Sequence, residues 1–496
     1  MRKCLFIVSI QLLFILNLSA QDDKEKKLTA FVEKILSELK VIPAISIAVA
    51  NDSGSLYTNA LGYADINKKI SARAETNFYI ASCTKSFNGL LAVILSEEGK
   101  IDLNQQILFY KPFKDFKRKD VFNNITINDL LSHQSGIDND YVSLRLAYTG
   151  EYTEQEIIQL IETETKITAK GKNFEYTNFG YYLLDILIKA ELGKSWRDLL
   201  EEKLFIPLKM DHSTAYISKA EKESLAKPYL TLFPDQIKEC YLKKTDNTMH
   251  AAGGIVSNAK DISKFLAFYI SKGKLDNKQI YSEALVGKTF VMQTNATHDG
   301  IKIFQGYGYA RGWRLGKFGD NDVVYHFGGY SGFFSHISFI PSRKLGVAIF
   351  INHELGMPIG DLIANYVYDL YGGNYTNLKK YETGIENLKN ALRKEQNSEL
   401  NTEKNHAKRT WKLSLPKEEY VGVYFNKKIG TVEVLYENGN NIAKIGNLTA
   451  IATPLTLADC MRLEFVPGSG SGICFKISEA KVESLSYLSE VFTKIK

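Results

Sequence analysis

Cysteine is scarce. Five occur in 496 residues, and one of them, Cys4, falls in the N-terminal leader. The remaining four are too few to build a fold from disulfides. Cys460 and Cys474 are close together in a strand-rich region and can pair in an oxidising compartment. Cys83 reads as a small apolar core residue. Histidine is also scarce: eight residues, none at a spacing such as His-Glu-x-x-His, so no metal is expected, and no cofactor. Neither sign of charge dominates. The net charge is +6, with lysines mixed among acids, which argues against a nucleic-acid footprint. The lysine clusters near 111–119 and 379–394 read as solvated faces. A Gly-x-Ser-x-Gly elbow is missing too, which excludes that way of presenting a serine.

The N-terminus does carry one apolar run. Met1-Arg2-Lys3, the run 5–16 and then Asn17-Leu18-Ser19-Ala20 read as a secretory signal peptide with cleavage after Ala20. An uncleaved anchor is the alternative, but the run is short for one. The expectation is a periplasmic or secreted protein with no stable membrane span after cleavage; its oligomeric state stays open.

Apolar periodicity sorts the rest. Residues 24–40 read as an amphipathic helix, 44–50 and 55–61 as a hairpin, and 102–242 as mostly helical. Strands are expected at 308–315, 323–326, 332–340 and 345–352, then a helix at 359–370. Strands from both chain ends, with helices between, predict an α/β (α+β) fold: an antiparallel sheet flanked by helices, with an inserted helical region. Residues 374–414 are charged and weakly helical and read as a linker, and 415–496 as a small antiparallel β domain. The organisation is thus 1–20 signal peptide, 21–373 main domain, 374–414 linker and 415–496 β domain.

Three stretches carry chemistry. Ser82-Cys83-Thr84-Lys85 precedes the apolar run Leu90–Leu95, so hydroxyl and amine share one face at the start of a buried helix. Ser-x-x-Lys recurs elsewhere in the chain, and an N-cap serine beside a solvated lysine is the bland alternative. Tyr176-Thr177-Asn178 sits at the mouth of a helix, where a phenol can relay a proton; the triplet also occurs at Tyr57 and Tyr375. An aromatic loop packed on the core is the alternative there. His326-Phe327-Gly328-Gly329 lies among strands, where glycines let a substrate backbone approach; His298-Asp299-Gly300 repeats the pattern in a polar loop.

In this order, with Leu131-Ser132-His133-Gln134-Ser135-Gly136 and Ala252-Gly253-Gly254 between them, the motifs resemble the penicillin-recognising serine hydrolases. That group contains class C β-lactamases, D-alanyl-D-alanine carboxypeptidases and related esterases and D-aminopeptidases. The resemblance implies a β-lactamase-like fold and a serine hydrolase acting through an acyl-enzyme on an amide or ester of a small molecule or peptide. It makes Ser82 the nucleophile, Lys85 and Tyr176 its acid/base pair, and Asn178, His326, Gly328 and Gly329 the substrate-binding residues. The amides of Ser82 and Gly329 would form the oxyanion hole, and His133 would be structural. The chain departs from class C β-lactamases by having His326 where they have lysine, and Phe327 where many relatives have a hydroxyl residue. Both changes are expected to disfavour antibiotic hydrolysis, the second by adding apolar bulk at the site. The alternative is a catalytically silent receptor for cell-wall fragments.

Overall fold

The computed structural model describes residues 2–169, 171–233, 236–297, 303–374 and 378–496. His298–Gly300 and Tyr375–Asn377, where two of the recurring triplets fall, lie outside them. The sheet that both chain ends build takes its logic from one strand. In β1 (Ala44–Asn51), Ala44, Ala48 and Ala50 enter one core while Ile45, Ile47 and Val49 enter another. Both faces of the strand are therefore covered, as the period of two requires. Helix α4 (Ala259–Ile270) packs against β1 and its neighbours, on the side where alanines leave room.

The other strands of this sheet are β2 (Gly54–Asp65), β3 (Ile70–Ser71), β4 (Thr294–Asn295), β5 (Gln305–Tyr309), β6 (Arg314–Phe318), β7 (Asn321–Tyr330), β8 (Phe333–Ile340) and β9 (Leu345–Ile351). Their order is β4-β5-β6-β7-β8-β9-β1-β2-β3, with every pairing antiparallel. The strand expected at 308–315 is instead the end of β5, a turn and the start of β6. The turn comes from Gly312, whose φ of +80° breaks an extended run. Strand β7 extends to Tyr330, so the motif His326–Gly329 is part of the sheet.

On the second face lie α1 (Arg2–Leu39), α5 (Gly356–Tyr371) and α6 (Lys380–Ala407). Helix α1 runs unbroken through the expected leader boundary. Helix α6 occupies the weakly helical stretch that reads as a linker, and it is packed on the domain. Its charged composition hides buried Tyr381, Ile385 and Leu392, a helical spacing that packs it on the domain. Lys389 Nζ reaches Glu38 at 2.8 Å, and Tyr381 Oη donates to Asp369 at 2.6 Å. Between the two halves of the sheet the chain forms the inserted helical region, with α2 (Thr84–Glu97) at its centre, buried from Thr84 to Leu95, and α3 (Phe179–Leu192) beside it. Among the described residues, no helix is long and apolar enough to cross a membrane.

Nine antiparallel strands between Gly422 and Lys494 form the C-terminal β domain. Five were expected. The alternation is carried by short strands, several bounded by one-residue left-handed turns such as Gly439 and Gly468, which the apolar pattern alone underestimates. Cys460 and Cys474 face each other across two of these strands and are disulfide-bonded. The domain is docked on the helical region. Arg145, 2% exposed, donates from Nε to Lys428 O at 2.9 Å and from Nη2 to Lys427 O at 3.0 Å. Tyr141 Oη donates to Glu490, and Lys428 bridges Glu490 and Glu164. Truncating Arg145 leaves two carbonyls facing a void, at about 1–3 kcal/mol each. Arg145→Ala should therefore lower unfolding stability by about 2–6 kcal/mol, measured by denaturant titration. An unchanged midpoint would show that the domains hold together without it.

Candidate active site

Ser82 lies in a 3₁₀ turn, Ala81–Cys83, that leads directly into α2. Ala81 has a φ of +44°, a left-handed conformation that costs a non-glycine residue on the order of 1 kcal/mol. The turn is held in place from three directions. Ile80 N donates to Ile255 O, Ser335 Oγ donates to Ile80 O at 2.6 Å, and the Cys83 thiol lies 3.4 Å from His326 O. Burial pushes that thiol up to about 12, so Cys83 packs as an apolar residue.

One helical turn on, Lys85 is fully buried. Its Nζ is 3.1 Å from Ser82 Oγ, 2.7 Å from Asn178 Oδ1 and 2.8 Å from Ala252 O. It also lies 4.9 Å from the centre of the Tyr176 ring. No carboxylate appears among the groups acting on it; burial first, then the Arg314 charge, holds its pKa well below the ordinary lysine value. In the neutral amine, two N–H groups serve Asn178 Oδ1 and Ala252 O, and the lone pair is left facing the Ser82 hydroxyl. The loop carrying Ala252 is itself fixed to α2, through Asn88 to Ala251 O at 2.7 Å and Thr84 to Ile255 N at 3.0 Å.

Tyr176 stands at the mouth. Its ring is 37% exposed, while its hydroxyl faces inward and hydrogen-bonds Ser82. Burial of that end pushes the phenol up to about 12, against the Ser82 bond and the Arg314 charge. The ring leans on His133 at 4.3 Å. His133, in a left-handed conformation with φ of +60°, accepts from Thr177 N at Nδ1, 3.3 Å away, and reaches Tyr309 Oη through Nε2 at 3.1 Å. Tyr309 Oη is in turn 3.1 Å from His326 Nε2, and His326 Nδ1 donates to Phe327 O at 2.7 Å. These partners assign the tautomers. His133 carries its proton on Nε2 and donates to Tyr309, which donates to His326. Burial keeps the His133 ring neutral, its pKa well below the usual histidine value. His326 is buried and held from both sides.

Strand β6 pairs with β7 only as far as Tyr325, while β8 follows β7 to Tyr330. Residues 326–330 therefore turn one edge toward the Ser82 turn. At Gly328 a Cβ would overlap Ile80 O and Ser335 Oγ and lie 2.9 Å from Ser82 N; only glycine admits this approach. At Gly329 a Cβ would meet nothing within 4 Å. Phe327 points the other way, into the core shared with Phe304 and Phe334. The apolar bulk expected from Phe327 is therefore absent from the site, because neighbours on a strand face opposite sides.

The structure thus brings Ser82, Lys85, Tyr176, Asn178, His326, Gly328 and Gly329 together. Sequence reasoning missed one neighbour. Arg314 lies over Tyr176 at 5.1 Å and over Tyr309 at 5.6 Å; its signal was a charge inside an apolar strand pattern. His133, read as structural, braces Tyr176 directly.

A serine and a buried lysine at a helix start, between an antiparallel sheet and an inserted helical region, define the β-lactamase fold. The profile of the Beta-lactamase family matches residues 32–394, and the chain belongs to that family. Protein flp of Staphylococcus aureus (strain MW2) is 25% identical over 334 residues, 67% of this chain and 64% of that protein; the chain thus spans just under two thirds of that relative's length. The unguisins hydrolase ungD' of Aspergillus campestris is 27% identical over 321 residues, 62% of this chain and 58% of that one. Among solved structures, the octameric penicillin-binding protein homologue from Pyrococcus abyssi superposes with a TM-score of 0.60. It is 24% identical, and the match covers 95% of this chain and 99% of that one. D-amino acid amidase from Ochrobactrum anthropi gives 0.58 at 21% identity, over 70% of this chain and 99% of that one. Both show the shared fold.

The two glycines make opposite predictions. Gly328→Ala should cost about 1–3 kcal/mol by overpacking and displace the Ser82 turn. Gly329→Ala should leave Tm within about 2 °C. Calorimetry on both variants checks this; equal shifts would show that β7 does not press on the turn.

Proposed function

We propose that the protein is a serine hydrolase that cleaves an amide or ester of a small molecule or peptide through an acyl-enzyme on Ser82. The observation that carries the proposal is the buried Lys85 amine, 3.1 Å from Ser82 Oγ, with its other two contacts to pure acceptors. Lys85 takes the proton of Ser82 as Oγ attacks the carbonyl carbon. The carbonyl oxygen becomes an oxyanion facing the amides of Ser82 and Gly329, where the start of α2 favours negative charge. Tyr176, bonded to Ser82, passes the proton to the departing amine or alcohol. Water then attacks the ester on Ser82 by the reverse relay. Asn178 orients Lys85 and offers its amide to the substrate, and His326, fixed by Tyr309, closes the same end. Hydrolases among the relatives, an amidase and an unguisins hydrolase, support a hydrolytic role. His326 in place of the lysine of class C β-lactamases favours peptides and esters over β-lactams. Export is part of the proposal, supported by the leader 1–20 and by the Cys460–Cys474 disulfide.

A fluorophosphonate should modify one peptide, the one carrying Ser82, and mass spectrometry reads the adduct. Lys85→Arg should slow that modification by about 10²–10⁴-fold, as much as Lys85→Ala, because a guanidinium keeps charge but cannot accept the proton. In the native enzyme the rate should rise with pH as Lys85 loses its proton, with a midpoint below the ordinary lysine value of about 10.4. It should then hold until Tyr176 ionises at about 12. An unmodified Ser82, together with binding of cell-wall fragments and no turnover of any ester, amide or lactam, would replace this reading with a receptor. Native N-terminal sequencing should begin at Gln21.

A further inference from the structure

The proton relay gives the cleft a direction. Tyr176 protonates the leaving group, and its ring lies 6.3 Å from His326, so the leaving group belongs at the His326 end of β7. A substrate whose carbonyl oxygen faces the Gly329 amide then runs its acyl portion the other way, toward Tyr330.

What stands there is a second unusual lysine. Lys244 Nζ is 4.2 Å from the centre of the Tyr330 ring, 5.6 Å from that of Tyr79 and 5.8 Å from that of Tyr148. Two of its donors go to backbone carbonyls, Ala147 O at 2.8 Å and Thr248 O at 3.3 Å. No acid contributes to its electrostatics. Burial without a neighbouring acid brings its pKa down to about 7, so a carboxylate placed beside it among these aromatic faces would restore and hold its charge. Tyr330 Oη is buried with no partner in its surroundings, a second group waiting for an acceptor. Lys244, Tyr79 and Tyr330 line a cavity of about 80 Å³, room for two or three water-sized groups, the size of a carboxylate and its methylene. Glu239 and Lys227, which also line that cavity, approach each other at 3.9 Å; Glu221 and Lys243 line it too. His250, beside Lys244, is kept neutral by burial, its pKa well below the usual histidine value.

The C-terminal domain holds this corner together. Asn447 N donates to Thr149 O at 2.8 Å, next to Tyr148, and Asn447 Nδ2 donates to Thr245 Oγ1 at 3.0 Å, next to Lys244. A side chain at Gly446 would overlap Thr149 O, so the turn 446–447 fits one position only. One residue of the β domain therefore ties down the backbone beside two members of the cage.

We propose that Lys244, with Tyr330, binds an anionic group, a carboxylate, on the far end of the acyl portion of the substrate, and that Asn447 positions this subsite. The inference rests on the Ser82 acyl-enzyme reading and adds the substrate's charge to it. Its substrates are amides or esters of dicarboxylic or acidic acyl groups, and no new chemical step is involved.

The test uses the full-length protein and three chromogenic anilides, N-succinyl, N-glutaryl and N-adipyl, each paired with the neutral ω-amide of the same length. The readout is the ratio of kcat/KM for carboxylate to that for amide within each protein, so a general loss of folding or reactivity cancels. The wild type should favour the carboxylate at least about tenfold at one chain length, through KM. Lys244→Met should bring that ratio to about one, and Asn447→Ala should lower it while Lys244 is still present. No preference at any length, no turnover of the carboxylates, or a ratio that survives Lys244→Met would overturn the proposal. In the last case Lys244 is only a staple between loops. Fluorophosphonate labelling of the wild type separates the two levels. If Ser82 labels and the ratio is one, the subsite alone fails; if Ser82 does not label, the acyl-enzyme reading fails and the subsite with it.

Discussion

An amine buried without an acid is the constraint on which the rest of this structure depends. Lys85 has no exposed surface, and removing an ammonium from water without a counter-charge costs several kcal/mol. The fold resolves this by favouring the neutral form. It surrounds the nitrogen with two acceptors and one hydroxyl, brought from three distant segments: α2, the N-terminus of α3 and the loop 251–254. Each segment is then fixed by something else. The loop is hydrogen-bonded to α2, Tyr176 leans on His133, and the turn before Ser82 is clamped between Ile255 and Ser335. A base of this kind works only if its neighbours do not rearrange to solvate it, and the packing around α2 supplies that rigidity.

The same geometry divides the cleft. At one end stand Tyr176, His326 and Arg314. At the other end β7 runs out at Tyr330, against a corner built jointly by the helical region and the C-terminal domain. The β domain is thus more than a neighbour. Arg145 is buried in its interface, and Asn447 ties down the backbone beside Tyr148 and Lys244. A domain that shapes one end of a cleft can change what the cleft accepts without touching the reacting atoms.

Much of this was legible in the residues. Ser82 and Lys85 were readable because a three-residue spacing at a helix start fixes two side chains on one face. Tyr176, Asn178, His326, Gly328 and Gly329 were readable from motif order. The alternation in β1 was visible as alanine against isoleucine and valine. Other features depend on the third dimension. The contact of His133 with Tyr176 follows from a left-handed backbone at a non-glycine residue, which no local pattern announces. Arg314 and Lys244 look like surface charges until the sheet and the β domain enclose them. The packing of helix α6 was hidden by its charge, although Tyr381, Ile385 and Leu392 are spaced as a packed helix requires. The orientation of Phe327 is a matter of strand phase, which is unknown until the register of β7 against β8 is fixed.

The central claim is that Lys85 is neutral in the resting protein at the pH where it works. The direct measurement is an NMR titration of lysines labelled at Cε, with the Lys85 signal assigned by its loss in Lys85→Arg. The account predicts that this signal titrates well below the surface lysines, which should cluster near about 10.4; Lys244, brought down to about 7 by burial, is a second low signal and is told apart by its loss in Lys244→Met. A Lys85 signal that titrates with the surface lysines, or above them, would contradict the account and move the role of base to Tyr176.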